Sequence, residues 1–397
     1  MESALGVIGG GIVGLAVAYK LQLRYPDKKI IVFEKDAEIG MHQSGRNSGV
    51  LHCGLYYEPG SLKAKLAVSG IRQMTAFCRE HEIQHEICGK VVVASDEREA
   101  GFLKNLHARG TANGLQGLEF LTGAALAQRE PYVSAKEALL VPEEGIVDYK
   151  AVMQKLKELI LARNGAVLMG TRINKVVEGN NEVIVSDGTK EWKLDAVVSC
   201  AGLHSDRIYR QFTRQRRPLR IVPFRGEYMM LKPEAKHLVN HLVYPVPDPE
   251  YPFLGVHFTR MISGAREVGP NAVFALKREG YVNTQFSLKD TVDAVTYKGF
   301  MAFLAKNFSF SMGEFYSSIN AKAFLKKAQK LIPDIKMEHF VKGTAGVRAQ
   351  AMDARGKLIM DFNVIRQGRQ VHVLNAPSPG ATASLAIADY IISEYIN

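Results

Sequence analysis

A glycine-rich turn near the start of the chain restricts its fold more than any other feature. The apolar run Leu5 to Ile8 enters Gly9-Gly10-Gly11-Ile12-Val13-Gly14, and a second apolar run, Ile30 to Phe33, ends on Glu34. Gly9, Gly11 and Gly14 have the G-x-G-x-x-G spacing, and Glu34 lies twenty positions beyond Gly14. In a strand–turn–helix unit the first glycine makes the turn, the second admits a pyrophosphate to the backbone, and the third lets helix pack on strand. The helix N-terminus then offers unpaired N–H groups and a positive dipole end to the phosphates. Glu34 is positioned to accept a hydrogen bond from a ribose hydroxyl, with Lys35 beside it. A Rossmann-like dinucleotide site is expected, but the fingerprint alone does not choose between NAD and FAD.

The next segment narrows the choice. His42-Gln43-Ser44-Gly45-Arg46-Asn47-Ser48-Gly49 supplies donors and close backbone approaches suited to an extended cofactor, and leads into Val50-Leu51-His52-Cys53-Gly54-Leu55-Tyr56-Tyr57. Here the chain resembles the FAD-dependent amino-acid-oxidase superfamily and, within it, the L-2-hydroxyglutarate dehydrogenase/oxidase family. The resemblance recurs at Pro223-Phe224-Arg225-Gly226-Glu227-Tyr228 and from Tyr244-Pro245 to Pro252-Phe253-Leu254-Gly255-Val256-His257. It continues at Gly269-Pro270-Asn271-Ala272-Val273, Ala345-Gly346-Val347-Arg348-Ala349-Gln350 and Asn375-Ala376-Pro377-Ser378-Pro379, and so covers essentially the whole chain. It implies an α/β fold: an FAD-binding Rossmann-like domain built from discontinuous segments, and a second α+β substrate domain with a mixed, largely antiparallel sheet. It also implies FAD as cofactor, oxidation of L-2-hydroxyglutarate to 2-oxoglutarate with hydride transfer to flavin N5, and electron delivery to a membrane quinone or slowly to oxygen. Three rival readings stay open: a flavin amine oxidase of the glycine/sarcosine oxidase type, a glycerol-3-phosphate dehydrogenase, and a flavin-binding scaffold that is no oxidase.

The 397 residues suffice for one large α/β domain and a second one. Apolar and charged fractions of 47% and 23% are those of a soluble globular protein. No signal-peptide pattern and no run near the ~20 apolar residues of a membrane span is seen. Cys53, Cys78, Cys88 and Cys200 lack C-x-x-C spacing, so reduced thiols, no metal site and a cytoplasmic location are expected. The net charge of +11 is partly local. Arg207, Arg210, Arg214, Arg216, Arg217, Arg220 and Arg225 fall within nineteen residues that contain no acid. Without a nucleic-acid motif, this run excludes nucleic acid as the expected partner and favours either an anionic membrane face or a solvated surface. Together with a quinone acceptor it suggests peripheral attachment to the cytoplasmic face of the inner membrane.

The expected FAD-binding domain comprises residues 1–81, 145–215 and 341–397, and the substrate domain residues 82–144 and 216–340. Tyr149 to Arg163 has helical periodicity; Thr171 to Val177 and Glu182 to Ser186 read as a hairpin about Gly179-Asn180-Asn181. The C-terminus reads as a strand, a loop Asn375 to Gly380 and a helix Ala381 to Tyr395. The aromatic-rich stretch Phe300, Met301, Phe303, Leu304, Phe308, Phe310, Met312, Phe315 and Tyr316 precedes a lysine-bearing helix, Ala321 to Leu331. Such a pair lies on a membrane or buries one face in the substrate domain, and the second reading is preferred.

The resemblance assigns roles to particular residues. Ala201 and Gly202 match the second FAD contact, and the Val176 backbone the adenine edge. Gly380, Ala381 and Thr382 would donate toward the flavin N1 and O2, where negative charge grows on reduction, with Pro379 beside them as a cofactor contact. A dicarboxylate calls for arginine forks, and Arg225, Arg348 and Arg260 are the candidates, with Tyr57 and Tyr244 as hydroxyl donors. Loss of the substrate O–H proton calls for a base of near-neutral pKa. His257 is the first choice and His52 the second. His52 alternatively contacts the flavin or bonds it covalently, with noncovalent FAD the default.

Overall fold

The computed structural model describes residues 3–247 and 255–396. Met1 and the Pro252, Phe253 and Leu254 positions of the resemblance lie outside the described residues, as does the Phe310 side chain.

Among the described residues six strands form the nucleotide-type sheet, in the order Asn363–Gln367, Gln370–Asn375, Ala196–Ser199, Ala4–Ile8, Lys29–Phe33 and Ala166–Leu168. The pairs are parallel except for the hairpin of the first two. Val7 sits opposite both Val198 and Val32 in register. All five residues of Ala4–Ile8 are buried, as expected of a central parallel strand covered on both faces. The helix Ile12–Arg24 buries Leu15, Ala16, Val17, Ala18 and Leu21 on this sheet, and it packs beside Tyr149–Ala162 and Ser384–Tyr395. The hairpin expected at 171–186 is present as Lys175–Glu178 and Val183–Ser186, extended by Glu191–Leu194.

Among the described residues nine strands form a second sheet. Its long member, Arg220–Leu231, pairs antiparallel with Val273–Phe274, Arg266–Gly269 and Phe340–Met352. Lys90–Ala94 meets Leu242–Pro245 in the sheet's parallel pair. A small sheet of Val50–Leu51, Gly145–Val147 and His85–Glu86 joins the two halves.

Three expectations are corrected. Residues 341–352, expected among the FAD-binding segments, pair along the whole of Arg220–Leu231, because their alternation suits a two-sided antiparallel ladder. The C-terminal helix begins at Ser384, not Ala381; a turn closes first, with the Gly380 N–H donating to the Pro377 carbonyl at 2.9 Å and the Ala383 N–H to Pro379 at 2.9 Å. The arginine run is not one free basic face. Arg207 pairs with Asp290 and Asp293, Arg217 with Asp206 and Asp293, Arg220 with Asp293 and Arg225 with Glu227. Asp206 and Glu227 flank the run just outside it, and Asp290 and Asp293 come from distant sequence, so a charge count within the run misses them. Arg210, Arg214 and Arg216 stay exposed.

The aromatic stretch divides as well. Phe300 and Phe303 are buried against Phe224 and Phe274, while Met301, Phe308, Met312, Phe315 and Tyr316 stand about half exposed or more. Among the described residues no helix is long and apolar enough to cross a membrane.

Candidate active site

A cavity of about 820 Å³ runs from the glycine turn, Gly9 to Gly14, to the loop Asn375 to Thr382. One end is built by steric necessity. A Cβ on Gly14 would stand 2.0 Å from the Gly9 carbonyl oxygen, and Gly9 itself has φ +114°. No other residue allows this turn and this helix to coexist. Glu34 locks the turn to the second strand: its carboxylate accepts the Gly10 N–H at 2.6 Å and the Asp36 N–H at 2.9 Å. The Ser44 hydroxyl accepts the Ile12 N–H at 3.0 Å, capping the helix that faces the cavity.

The 42–49 loop is held by its own polar groups. Asn47 donates to the Gln43 and Ser44 carbonyls and accepts the Gly49 N–H. Arg46 lies 4.0 Å over the Tyr281 ring and donates to the Met41 carbonyl. Lys35 is tied to Asp36 and Glu279, and His42 to Asp36 and Tyr281. The Glu279 carboxyl is held far below its usual range: burial raises it, and the His204 and Lys35 hydrogen bonds and the His42 charge outweigh that.

The other end holds the reactive groups. His257 stacks on Tyr244, ring centroids 4.0 Å apart, and its Nδ1–H donates to the Gly255 carbonyl at 2.9 Å. Nε2 is thereby the unprotonated nitrogen. Burial pushes the imidazole down to about 3, against the Gly255 bond, and the charges of Arg348, His52 and Lys90 add to the depression. His52 has a different backing. Its Nδ1 lies 3.4 Å from the buried Glu144 carboxylate, whose other oxygen is 2.8 Å from the fully buried Lys90 ammonium. Burial raises the Glu144 carboxyl, and Lys90 and His52 more than reverse this, bringing it to about 2. The Lys90 ammonium also lies 4.4 Å and 5.1 Å from the Tyr56 and Tyr244 ring centroids. The Thr382 hydroxyl fastens this end: it meets the Tyr149 hydroxyl at 2.6 Å and accepts the His52 N–H at 3.2 Å.

Of the expected residues, Gly9, Gly11, Gly14, Glu34, Lys35, His42, Ser44, Arg46, Asn47, Ser48, Ala201, Gly202, Pro379, Gly380, Ala381 and Thr382 all line the cavity. So do His52, His257, Arg348, Tyr57 and Tyr244. Four do not. Arg225 alternates with Gly226 on its strand; Gly226 faces the cavity, so Arg225 points away, to Glu227 at 2.9 Å. Arg260 forms an ion pair with Glu86 outside the cavity. Gly49 and Val176 are not part of the wall, and the segment Thr171 to Asn174 stands where Val176 was expected. Gly380 lines the wall, but its N–H is committed to Pro377, so Ala381 and Thr382 are the loop's remaining backbone candidates.

These features are matched by a family model described as FAD dependent oxidoreductase, over residues 5–394. A protein from Indibacter alkaliphilus named L-2-hydroxyglutarate dehydrogenase is 44% identical over 98% of this chain and 97% of its own. A mitochondrial L-2-hydroxyglutarate dehydrogenase from Nematostella vectensis is 42% identical over 97% and 88%. The chain belongs to the L-2-hydroxyglutarate dehydrogenase family of FAD-dependent oxidoreductases. Its fold is similar to that of an FAD-bound L-alpha-glycerophosphate oxidase from Mycoplasma pneumoniae, with a TM-score of 0.77 at 21% identity over 99% and 94% of the two chains.

Membership in this family makes FAD the cofactor, and the residues fit it. The cradle that a Cβ would fill at Gly14, the helix end at Ile12 and the turn at Gly202 (φ +49°) all border one continuous cavity. Sequence reasoning missed Lys63, Tyr56, Tyr149, Tyr228, Glu144 and Lys90. Glu144 stands in Pro142-Glu143-Glu144-Gly145, where two adjacent acids before a glycine read as a solvated turn. Only the tertiary fold, which leaves Glu144 and Lys90 with no exposed surface, reveals them as a buried pair.

Proposed function

We propose that this enzyme oxidises L-2-hydroxyglutarate to 2-oxoglutarate. The observation that carries the reading is that one cavity joins the dinucleotide cradle to an arginine and two histidines, one backed by a carboxylate and the other by a carbonyl. The names of the full-length relatives add the substrate class. Arg348 would hold a carboxylate of the substrate by its planar fork. Glu144 orients His52 with Nδ1 toward the carboxylate, which directs Nε2 toward the substrate hydroxyl. His52 would take that proton, with the Glu144 carboxylate 3.4 Å behind it. His257, whose protonated form is disfavoured by burial and by Arg348, would serve as a neutral hydrogen-bonding group. The preference for His257 as base is thus reversed. FAD, when bound, would accept the hydride leaving C2, which carries both electrons. Tyr244 and Tyr56 wall off water around the reacting centre.

Anaerobic mixing of the yellow protein with L-2-hydroxyglutarate is expected to bleach the flavin, with no bleaching by the D-isomer, glycine, sarcosine or proline. Bleaching by the amines alone would move the enzyme to the glycine/sarcosine oxidase type. Bleaching by glycerol 3-phosphate would move it to the glycerophosphate class. No bleaching by any of them would leave a flavin-binding scaffold.

The acceptor we infer is a membrane quinone, reached from a peripheral position. Support comes from the half-exposed apolar groups of Leu288–Val295, Lys298–Lys306 and Phe308–Ile319, among them Leu288, Met301, Phe308, Phe315 and Tyr316. Exposed Lys289, Lys298, Lys306, Lys322 and Lys326 lie on or beside the same helices. Apolar side chains flanked by lysines suit an anionic bilayer surface. Flotation with anionic vesicles at low salt should carry the protein, and Phe308→Ser with Phe315→Ser should reduce this several-fold. Recovery of the wild-type protein entirely in the vesicle-free fraction would sink the idea.

A further inference from the structure

The cavity contains a cation that the reading above does not use. Lys63, the second residue of the helix Leu62–Glu80, lines the cavity and is 8% exposed. Its ammonium lies 4.5 Å from the Tyr57 ring centroid, and the Tyr57 hydroxyl donates to the Ser378 carbonyl at 3.4 Å, beside the C-terminal loop. The helix is pressed against that loop at Gly70, where a Cβ would fall 2.4 Å from the Ala383 Cα. Among the described residues no carboxylate stands within ion-pair distance of Lys63. Burial lowers its ammonium to about 8, with Asp361 opposing from farther away.

Every other cation on the wall is occupied or lies elsewhere. Lys35 is held by Asp36 and Glu279, Arg46 by Tyr281 and the Met41 carbonyl, and Arg207 by Asp290 and Asp293. Arg172 is in the 171–174 segment, and Lys289 adjoins Arg207 and Gln211. Arg348, hydrogen-bonded to Tyr228, also lines the cavity and lies close enough to His257 to act on its charge. A five-carbon hydroxy diacid carries two carboxylates, and a single arginine fork holds one. A buried ammonium without a counterion is costly, and a bound anion removes that cost.

We propose that Lys63 is the second carboxylate anchor, binding the carboxyl group remote from the reacting carbon while Arg348 binds near the histidines, so that Lys63 sets the preference for diacids over monoacids. This rests on the proposed hydroxyacid oxidation. The test uses the FAD-loaded enzyme and follows the flavin spectrum during titration with glutarate or butyrate, then anaerobic reduction by L-2-hydroxyglutarate or L-2-hydroxybutyrate. Lys63→Met is expected to weaken glutarate binding by ~30-fold or more, the scale of removing one partner of a buried charge pair. Butyrate binding should change little, and Lys63→Arg should restore most of the glutarate affinity. In the wild type, the glutarate advantage should decline as pH rises past about 8, where the free ammonium deprotonates, and Lys63→Met should lack that decline. Equal losses for both acids, or slower reduction with the diacid preference intact, would overturn the proposal; the second result would assign Lys63 to the reduced flavin. If L-2-hydroxyglutarate fails to bleach the wild type, the activity fails, while the glutarate and butyrate titrations still decide the anchor.

Discussion

Replacing His52 with alanine should slow anaerobic flavin reduction by L-2-hydroxyglutarate by ~10²- to 10⁴-fold, the usual cost of losing a general base. The expectation rests on what stands behind each imidazole. An oxidation that removes a hydride from C2 must also release the hydroxyl proton, and the acceptor must hold it. His52 has the Glu144 carboxylate 3.4 Å behind Nδ1, and Glu144 stays ionised because Lys90 sits 2.8 Å away. His257 has only a neutral carbonyl behind Nδ1 and is pushed down to about 3. A base so weak takes up little of the proton near neutral pH. His257→Ala should therefore cost about tenfold or less and act mainly on substrate affinity. Glu144→Gln should fall between the two, since the amide keeps the shape of the side chain but not the charge. Stopped-flow reduction of the three variants, with flavin content matched, separates the roles. A loss above ~10²-fold in His257→Ala, with His52→Ala near wild type, would return the base to His257.

How much of this was legible in the sequence depends on how local each signal is. The glycine spacing and Glu34 act within one strand–turn–helix unit, so the residues that line the cradle could be named from their order alone. The same holds for Tyr149–Ala162, whose apolar period is helical. Positions set by strand pairing were less readable. Arg225 and Gly226 are neighbours in sequence but face opposite sides of the sheet, and a resemblance that covers both does not say which side is the cavity. The same pairing drew Phe340–Met352 into the second sheet, although Ala345 to Gln350 adjoins cavity-forming residues. Partners brought together from afar were least readable. Lys90 and Glu144 are fifty-four positions apart, and the seven-arginine run looked unneutralised because Asp290 and Asp293 lie 65 and 68 residues beyond its end.

The last of these clusters should dominate stability. Asp206 has no exposed surface and binds Arg278 through both oxygens, accepts from Arg217 at 3.1 Å and from the Ile221 N–H at 3.3 Å. Arg278, 2% exposed, also reaches the Leu203 carbonyl and Asp293. Asp206 lies at the start of the helix after the turn at Gly202, while Arg278, Asp290 and Asp293 come from the segment between the strands Val273–Phe274 and Phe340–Met352. The cluster therefore ties that helix to that segment. Removing one member of a buried ion pair costs ~3–5 kcal/mol, because the remaining charge stays buried without a partner. Asp206→Ala should lower the unfolding free energy measured in urea by that order and loosen flavin retention, and adding Arg278→Met should recover part of the loss. Recovery is the informative result: a lost contact alone would make the second substitution additive, whereas an orphaned charge makes it compensating. Acid should act on the same place. Burial raises the Asp293 carboxyl, but Arg217 and Arg207 hold it far below its usual range. Its folded pKa is depressed, so the stability it contributes is complete above the ordinary carboxylate range and drains away as pH falls below ~4. Asp293→Asn should be less stable than wild type at pH 7 and should lack part of that acid dependence. A wild-type urea midpoint that stays flat from pH 6 down to pH 3 would show that the cluster does not carry this load.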